Sequence, residues 1–223
     1  MQRSDDDGKT WTFPRTLLDG PIDDRDAGVM ETAKGTLLVT TFTSLAYASH
    51  FPNDGRRARW LAAHQRIPEK ERNKELGEWM IRSTDGGITW SERYSTIVNS
   101  PHGPTQLSDG RLLYAGKKLW HEGEEIGVCE SRDDGKSWQW LAGILTRPGD
   151  NHKDYHELHA IEGAEGRLIV HIRNHNKADH RETLQSESKD GGKTWSMPRA
   201  IGVWGLPSFL TRLRDGRLLM SYG

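Results

Sequence analysis

An octapeptide that ends in tryptophan recurs along this chain and limits the folds that the chain can adopt. The four copies read "SDDDGKTW" at 4–11, "STDGGITW" at 83–90, "SRDDGKSW" at 131–138 and "SKDGGKTW" at 188–195. One active site cannot use four copies of the same loop, so the repeat is predicted to belong to a scaffold. Repetition at a spacing of a few tens of residues is typical of proteins built from stacked structural units.

A second motif alternates with the octapeptide and reads as a glycine-containing turn followed by an apolar strand. Its copies are "AKGTLLVT" (33–40), "SDGRLLYA" (108–115), "AEGRLIVH" (164–171) and "RDGRLLMS" (214–221). A short strand precedes each of these turns. The resulting order is strand, glycine turn, strand, connection, strand, octapeptide turn and strand, which describes a four-stranded antiparallel meander. The sequence therefore predicts an all-β fold, a β-propeller of four-stranded antiparallel blades.

Within each octapeptide, the residue types predict a tight turn with no catalytic role. Asp85, Asp133 and Asp190 stand where a carboxylate can accept hydrogen bonds from the turn backbone. The following glycine supplies a positive φ angle, and the final tryptophan offers an apolar surface that can pack between blades. A calcium loop of the EF-hand type would need a later glutamate and flanking helices, and neither is present.

The octapeptides resemble the Asp-box, Ser-x-Asp-x-Gly-x-Thr-Trp, of the sialidase (neuraminidase) superfamily of six-bladed propellers. The resemblance implies that residues 1–223 form a single sialidase-like β-propeller domain that holds about four of six blades and is incomplete at both ends. Asp-boxes also occur in propellers that are not catalytic, so the motif marks the fold more strongly than the activity.

The meander also predicts which loops carry function. Because successive strands run in opposite directions, both kinds of turn lie on one face and the remaining connections lie on the other. The loops of that second face are 23–28, 100–105, 117–123, 154–157, 173–177 and 203–208.

The connection between Gly35 and Ser83 is longer than its counterparts by about 26 residues. Its composition predicts a short helical insertion around 55–76, with two helices separated by Pro68. The insertion is expected to be either a lid or substrate wall, or a decoration.

Two charged residues are predicted to meet on that working face. Glu157 opens the innermost strand of one blade, and Arg173 ends the strand antiparallel to it. A guanidinium can grip a substrate carboxylate with two hydrogen bonds, and glycosidases need carboxylates for acid, base or nucleophilic steps. Geometry alone fits a structural ion pair equally well. The frame "ELHAIEGAEGRLIVHIR" resembles the sialidase segment that carries a glutamate and one arginine of a carboxylate-binding triad.

That resemblance implies roles for both residues. Glu157 would polarise a nucleophilic tyrosine, and Arg173 would bind the carboxylate of a sialic acid. The Arg-Ile-Pro motif and the acid/base aspartate of sialidases would precede Met1, and the third arginine and the tyrosine would follow Gly223. The chain is therefore expected to be an internal fragment that is inactive alone, while its parent would be an exo-α-sialidase that acts with retention.

Further binding residues are predicted from the loops of the working face. Arg25, Asp26, His102 and His175 could each contact a sugar. Four further tryptophans are expected to pack, and two of them, Trp60 and Trp204, are the better candidates to stack on a sugar. The four are Trp11, Trp60, Trp120 and Trp204.

Six of the ten histidines lie between 152 and 180, and histidine is a common metal ligand. The segment "HELHA" lacks the helix and the spacing of a zinc protease motif. A looser zinc or iron site from His156, His175 and Glu157 stays an alternative. The proposed chemistry requires no metal and no cofactor.

Composition excludes several classes of partner. Lysine and arginine number 31 against 32 acidic residues, so neither charge nor basic runs indicate a nucleic-acid partner. No stretch approaches the roughly 20 apolar residues of a membrane helix, and the lone Cys129 indicates no compartment.

The expected partner is a sialylated or other acidic glycan. The alternatives are a propeller enzyme acting on a different acidic sugar, and a non-catalytic Asp-box propeller that binds a glycan or protein.

Overall fold

A computed structural model of the protein describes residues 1–120 and 123–223. These residues form two compact units. The first unit comprises residues 1–25 and 43–76, and the second comprises 26–42 and 77–223. The second unit carries most of the β structure and two 3-10 helices (His152–Asp154 and Ala164–Gly166), and the first carries both α-helices. The predicted loop 117–123 includes His121 and Glu122, which lie outside the described residues.

The strands confirm the predicted all-β architecture. Within the described residues, three antiparallel sheets have four strands each and a fourth has two. Every four-stranded sheet pairs its strands in chain order, as a propeller blade does. The strands are β1 (Asp23–Glu31), β2 (Leu37–Ser44), β3 (Glu78–Ser83), β4 (Tyr94–Ser95), β5 (Thr105–Gln106), β6 (Leu112–Lys117), β7 (Ile126–Ser131), β8 (Gln139–Gly143), β9 (Tyr155–Glu162), β10 (Leu168–Asn174), β11 (Glu182–Ser188), β12 (Arg199–Trp204), β13 (Ser208–Arg212) and β14 (Leu218–Tyr222).

The blade β5–β8 shows how neighbouring blades are held together. All six residues of β6 and all six of β7 are buried, because this blade is covered on both faces. Leu112 and Tyr114 pack into one apolar cluster with Leu38 of β2, while Leu113 packs into another with Leu158 of β9. Alternate residues of a strand point to opposite faces, so β6 contributes side chains to both clusters. Each buried leucine contributes about 1.5–3 kcal/mol relative to exposure.

The four octapeptides, called Asp-boxes below after the motif that they resemble, form the turns that the sequence predicts. In the copy at 83–90, Asp85 accepts the backbone N–H of Thr89 at 2.9 Å and the Thr89 hydroxyl at 2.5 Å. Ser83 accepts the Gly87 N–H at 2.9 Å. These hydrogen bonds, led by that of the Thr89 hydroxyl, lower the pKa of Asp85 to about 2. The corresponding aspartates have their pKa lowered to about 2 as well: Asp6, Asp133 and Asp190.

Contacts between turns place both turn types on one face of the second unit. Thr36, in the glycine turn after β1, donates its hydroxyl to Asp134 of the next blade's Asp-box at 2.6 Å. Arg111, in the next glycine turn, reaches the Gly191 carbonyl of the following Asp-box at 3.3 Å. The same pairing thus recurs from blade to blade, as the meander predicts.

The tryptophans of the Asp-boxes are not equally buried. Trp195 is 7% exposed and belongs to an apolar core cluster, and Trp138 is half-buried against another. Trp11, in contrast, is 61% exposed, so the prediction that it packs was wrong. Its indole N–H bonds to the Gly8 carbonyl at 3.0 Å within its own turn, and that bond satisfies its polar atom without burying the ring.

The first unit contains the predicted helical insertion. A 3-10 helix (Ala46–His50) precedes α1 (Arg57–Gln65) and α2 (Glu69–Lys74). Pro68 is the N-cap of α2, since proline cannot continue the preceding helix but fits at the start of the next. The helices are therefore separated at the residue that the sequence indicated.

Candidate functional site

A cavity of about 290 Å³ in the second unit lies at the ends of strands opposite the Asp-box turns. Three of the sequence-predicted residues besides Glu157 line it, namely Asp26, Arg173 and His175. The full lining is Asp26, Phe42, Asn99, Pro101, Lys117, Leu119, His156, Glu157, Arg173 and His175. The cavity is therefore built from strand ends and connections of the predicted working face. The segment 23–28 was predicted to be a loop, and the structure makes it part of strand β1 (Asp23–Glu31).

Glu157 occupies an irregular position in strand β9. Its backbone has a φ of 30°, a conformation that costs free energy in residues other than glycine. The register between β9 and β10 shifts here, because Ile172 pairs with Leu158 while Arg173 pairs with His156. Glu157 is thus the extra residue of a β-bulge, and bulges re-aim side chains near functional sites. The bulge presents the Glu157 carboxylate to the cavity.

Arg173 forms the centre of a hydrogen-bonded group at the wall of this cavity. Its Nη1 donates to Glu157 Oε2 at 2.6 Å, and its Nε donates to His175 Nε2 at 2.8 Å. Burial, assisted by the adjacent guanidinium of Arg173, lowers the pKa of His175, so the ring is neutral and can accept this bond. A guanidinium has five N–H donors, and these two contacts leave Nη2 unused by the described residues.

The segment that precedes β9 is fixed by buried polar contacts. Tyr155, which is fully buried, donates its hydroxyl to Asp150 Oδ2 at 2.6 Å. Asn176 accepts the backbone N–H of Asn151 at 2.7 Å, and the N–H of His175 reaches the Asp154 carbonyl at 2.8 Å. These bonds connect both ends of the β9–β10 hairpin near the bulge. They position Glu157 and Arg173 before any ligand arrives.

A second cation, Lys117, lines the cavity from the end of β6. Its side chain is only 6% exposed, and Nζ donates to the Lys153 carbonyl at 2.8 Å. Burial lowers the pKa of Lys117, and burial also lowers the pKa of His156 to about 4, with further lowering by Lys117. The His156 and His175 rings meet edge to face at 5.1 Å. The cavity thus combines two cations, two neutral imidazoles and two carboxylates.

Asp26 approaches the cavity from strand β1 and is exposed. Like Glu157, it has a positive φ, of 49°. Two residues later, Gly28 packs against the 101–103 loop so closely that a Cβ there would lie 2.6 Å from Gly103 N and 2.7 Å from Pro101 O. Only glycine permits this approach, and the approach holds β1 against the loop that supplies Pro101.

Two further predicted residues are not among those that line the cavity. Arg25 belongs to the first unit, where its guanidinium pairs with Asp23 at 3.6 Å. The His102 ring lies against His159 at 5.2 Å and against Phe209 at 5.6 Å. Burial lowers the pKa of His102. Sequence reasoning brought together Glu157, Arg173, His175 and Asp26, but it did not foresee that His102 packs against other rings.

Lys117 and His156 are cavity residues whose contribution the sequence analysis did not assign. Lys117 opens a predicted working-face loop, and a lysine that ends an otherwise apolar strand was the signal available for it. His156 was named individually only in the alternative metal site. Across residues 1–120 and 123–223, no group of three or more histidine, cysteine, aspartate or glutamate side chains is arranged to hold a metal ion. In the same residues, no helix has the length and apolar character needed to cross a bilayer.

Comparison with known proteins identifies the repeat. A family model described as "BNR repeat-like domain" matches residues 59–223. A sialidase of Bacteroides fragilis (strain YCH46) is 25% identical over 211 residues, which cover 88% of this chain and 36% of the relative. The chain thus spans about a third of the length of that relative.

Solved structures reproduce the fold of nearly the whole chain. A protein of unknown function from Dyadobacter fermentans DSM 18053 has a TM-score of 0.72 at 20% identity, covering 97% of this chain and 62% of its own. The Hadza microbial sialidase Hz136 has a TM-score of 0.66 at 20% identity, covering 98% of this chain and 45% of its own. At these identities the likeness shows a shared propeller fold.

Proposed function

Because the chain belongs to the family of BNR repeat-like domains, we propose that it supplies part of the active site of an exo-α-sialidase, which releases terminal sialic acid with retention of configuration. The wider class, a glycoside hydrolase of the BNR type with a glycan substrate, is supported by the sialidase relative. The narrower reaction is inferred from the cavity that contains Arg173.

The observation that carries the proposal is the arrangement of Arg173 between Glu157 and His175. The side chain is fixed on both sides, by the 2.6 Å contact to Glu157 Oε2 and the 2.8 Å contact to His175 Nε2. A guanidinium held in this way loses little conformational entropy when it binds a carboxylate. Sialic acid carries a carboxylate on its anomeric carbon, so this contact would orient the reacting carbon in the cavity.

Glu157 is assigned the task of a base for the nucleophile. As a tyrosine oxygen attacks the anomeric carbon, the Glu157 carboxylate would accept the hydroxyl proton, while an aspartic acid protonates the departing oxygen. No tyrosine lies among the described residues that line the cavity. The nucleophile would therefore come from outside this lining.

The remaining cavity residues suit the binding of a polar sugar. Asp26 can accept hydrogen bonds from sugar hydroxyls, and Lys117 adds positive charge beside the site of the substrate carboxylate. His156 and His175 are neutral because burial lowers both pKa values. The His156 ring can donate one hydrogen bond and accept one, whereas His175, whose Nε2 accepts from Arg173, keeps Nδ1–H as a donor.

The test is hydrolysis of a fluorogenic α-sialoside by the protein that contains this chain. Hydrolysis is expected, and proton NMR should show the α-anomer of sialic acid as the first product. A fluorogenic β-glucuronide and an α-L-arabinofuranoside serve as controls. Absence of sialoside turnover in a folded protein would refute the proposal, as would a first product of inverted configuration.

A second candidate is a glycosidase for a different acidic sugar, and the two cavity histidines favour it. Their edge-to-face contact at 5.1 Å places imidazole donors and acceptors beside Arg173, where a smaller uronic acid could use them. Cleavage of the β-glucuronide without cleavage of the sialoside would select this candidate.

A further inference from the structure

The first unit contains a larger cavity, of about 730 Å³, which the proposed function does not use. Ligand pockets for small molecules commonly measure about 300–1,000 Å³. Aromatic rings and basic side chains form much of its wall. The lining residues are Pro21, Ile22, Asp23, Tyr47, Phe51, Arg59, Trp60, Ala63, His64 and Arg66. All of them lie in residues 1–25 or 43–76, so the cavity belongs to this unit alone.

A cluster of rings gives this cavity a fixed wall. Tyr47, in the 3-10 helix, meets the ring of Phe51 at 6.0 Å, and its hydroxyl contacts His64 Nδ1 of α1 at 2.9 Å. Phe51 meets His64 at 5.7 Å and Trp60 at 6.5 Å, both edge to face. These contacts join the 3-10 helix to α1 and determine how the rings are presented.

Helix α1 leaves its large apolar side chains, Trp60 and Leu61, exposed to solvent. None of its residues is buried, and Trp60 is 43% exposed. A large aromatic side chain at the edge of a cavity can stack on the C–H face of a sugar ring, because it offers apolar area at little cost in side-chain entropy.

The charge of the cavity indicates the kind of sugar. Arg59 and Arg66 are exposed and form no ion pair with any described carboxylate, whereas the neighbouring Arg56 pairs with Asp54 at 2.7 Å. The one carboxylate in the lining, Asp23, pairs with Arg25 at 3.6 Å. Two guanidiniums without anionic partners suit a ligand that brings its own carboxylate.

We propose that this cavity is a second carbohydrate-binding site, which takes a sugar that bears a carboxylate, with Trp60 stacking on the ring and Arg59 and Arg66 binding the anionic group. Sialic acid and hexuronic acids share this chemistry. The site is independent of hydrolysis at the cavity that contains Arg173, and it would hold an acidic glycan whether or not that glycan is cleaved.

The experiment follows Trp60 directly by fluorine NMR of protein labelled with 5-fluorotryptophan. The signal of Trp60 is assigned by its loss in Trp60→Phe, and the Glu157→Gln background prevents turnover. The titrants are 3′-sialyllactose, digalacturonic acid and, as the neutral control, lactose. A saturable shift of the Trp60 signal is expected with at least one of the acidic sugars and not with lactose, and the responding sugar identifies the source of the carboxylate.

Matched variants locate the binding. The double variant Arg59→Gln/Arg66→Gln should weaken the response about tenfold or more, as expected for loss of charge-assisted hydrogen bonds. Arg56→Gln and Arg173→Ala should leave it unchanged. Circular dichroism is used to check that each variant is folded. The substituted residues of α1 and of its two caps, Arg56 and Arg66, are all exposed.

Four results would overturn the proposal. The Trp60 signal could fail to respond to either acidic sugar, or it could respond equally to lactose. The Arg59→Gln/Arg66→Gln variant could bind normally, or the response could vanish in Arg173→Ala. None of these results bears on sialoside hydrolysis, which is measured separately.

Discussion

Acid should destabilise this protein through His159, which lies in the core of the second unit. The side chain is 3% exposed, and its ring stacks on Phe209 at 4.2 Å. Its Nδ1 accepts the backbone N–H of Leu210 at 3.0 Å, which requires a neutral ring. Burial, assisted by His102 and His171, lowers the pKa of His159 to about 3.

The size of the effect follows from linkage. In the unfolded chain a histidine has a pKa of about 6.5, so below that pH the unfolded state binds a proton that the folded state does not. The free energy of unfolding is therefore unaffected well above pH 6.5 and falls as the pH decreases towards 3. At pH 5 the expected loss is about 2 kcal/mol. This value is nearly the same for any folded pKa below about 4.

The perturbation is His159→Asn, because the asparagine oxygen can replace Nδ1 as the acceptor for Leu210. Urea unfolding followed by tryptophan fluorescence gives the free energy of unfolding at pH 7.5 and at pH 5.0. The loss between the two pH values should be smaller in the variant by about 2 kcal/mol. Loss of the stacking on Phe209 lowers both values equally and cancels in the comparison.

The control is His50→Asn, which replaces an exposed histidine and should leave the pH dependence as in the wild type. An equal loss of stability in His159→Asn and in the wild type would refute the assignment to His159. A larger loss in the variant would show that the neutral ring is not the source of the acid sensitivity.

Further predictions concern the cavity and its support. Glu157→Gln should lower the kcat for sialoside hydrolysis by orders of magnitude. The control is Glu165→Gln, which replaces an exposed glutamate of the same β9–β10 hairpin that also has a positive φ and should leave kcat unchanged. If the two variants have equal kcat values, Glu157 has no part in the mechanism. Arg173→Ala should weaken binding of carboxylate-bearing sugars by about 1.5–3 kcal/mol, measured by calorimetry against a neutral sugar, and unchanged affinity would make Arg173 structural. Gly28→Ala should destabilise the fold by about 1–3 kcal/mol because its Cβ meets backbone atoms. Gly143→Ala, whose nearest neighbours are 3.8 Å away, should be nearly neutral in the same urea titration.

Local patterns explain why so much of the fold could be predicted. The Asp-box turn closes on itself, since Ser83, Asp85 and Thr89 bond within one octapeptide. Such a turn needs no distant partner, so its sequence is sufficient to predict it. The uninterrupted apolar run at 112–115 in β6 likewise indicates a strand that is covered on both faces. Pro68 separates the two helices of the insertion because it cannot continue the first of them.

The candidate site could be predicted only in part. Glu157, Arg173, Asp26 and His175 were found because strand direction alone places their loops on one face. The role of Lys117 was not found, because a lysine at the end of a strand reads as solvent-exposed until the surrounding elements bury it. His102 was expected to contact a ligand from its loop, but it is not among the residues that line the cavity, and its ring lies against His159.

The sequence by itself determined the turns, the order of the strands and the face on which the candidate site lies. The turns depend on hydrogen bonds within a few residues, and the direction of each strand follows from the turn that precedes it. Only the tertiary structure decided the orientation of the Glu157 side chain and the protonation state of the histidines around it. The bulge at Glu157 arises from the register between β9 and β10, and the burial that keeps His156, His159 and His175 neutral comes from elements distant in the chain. Register and burial depend on partners that no local pattern specifies.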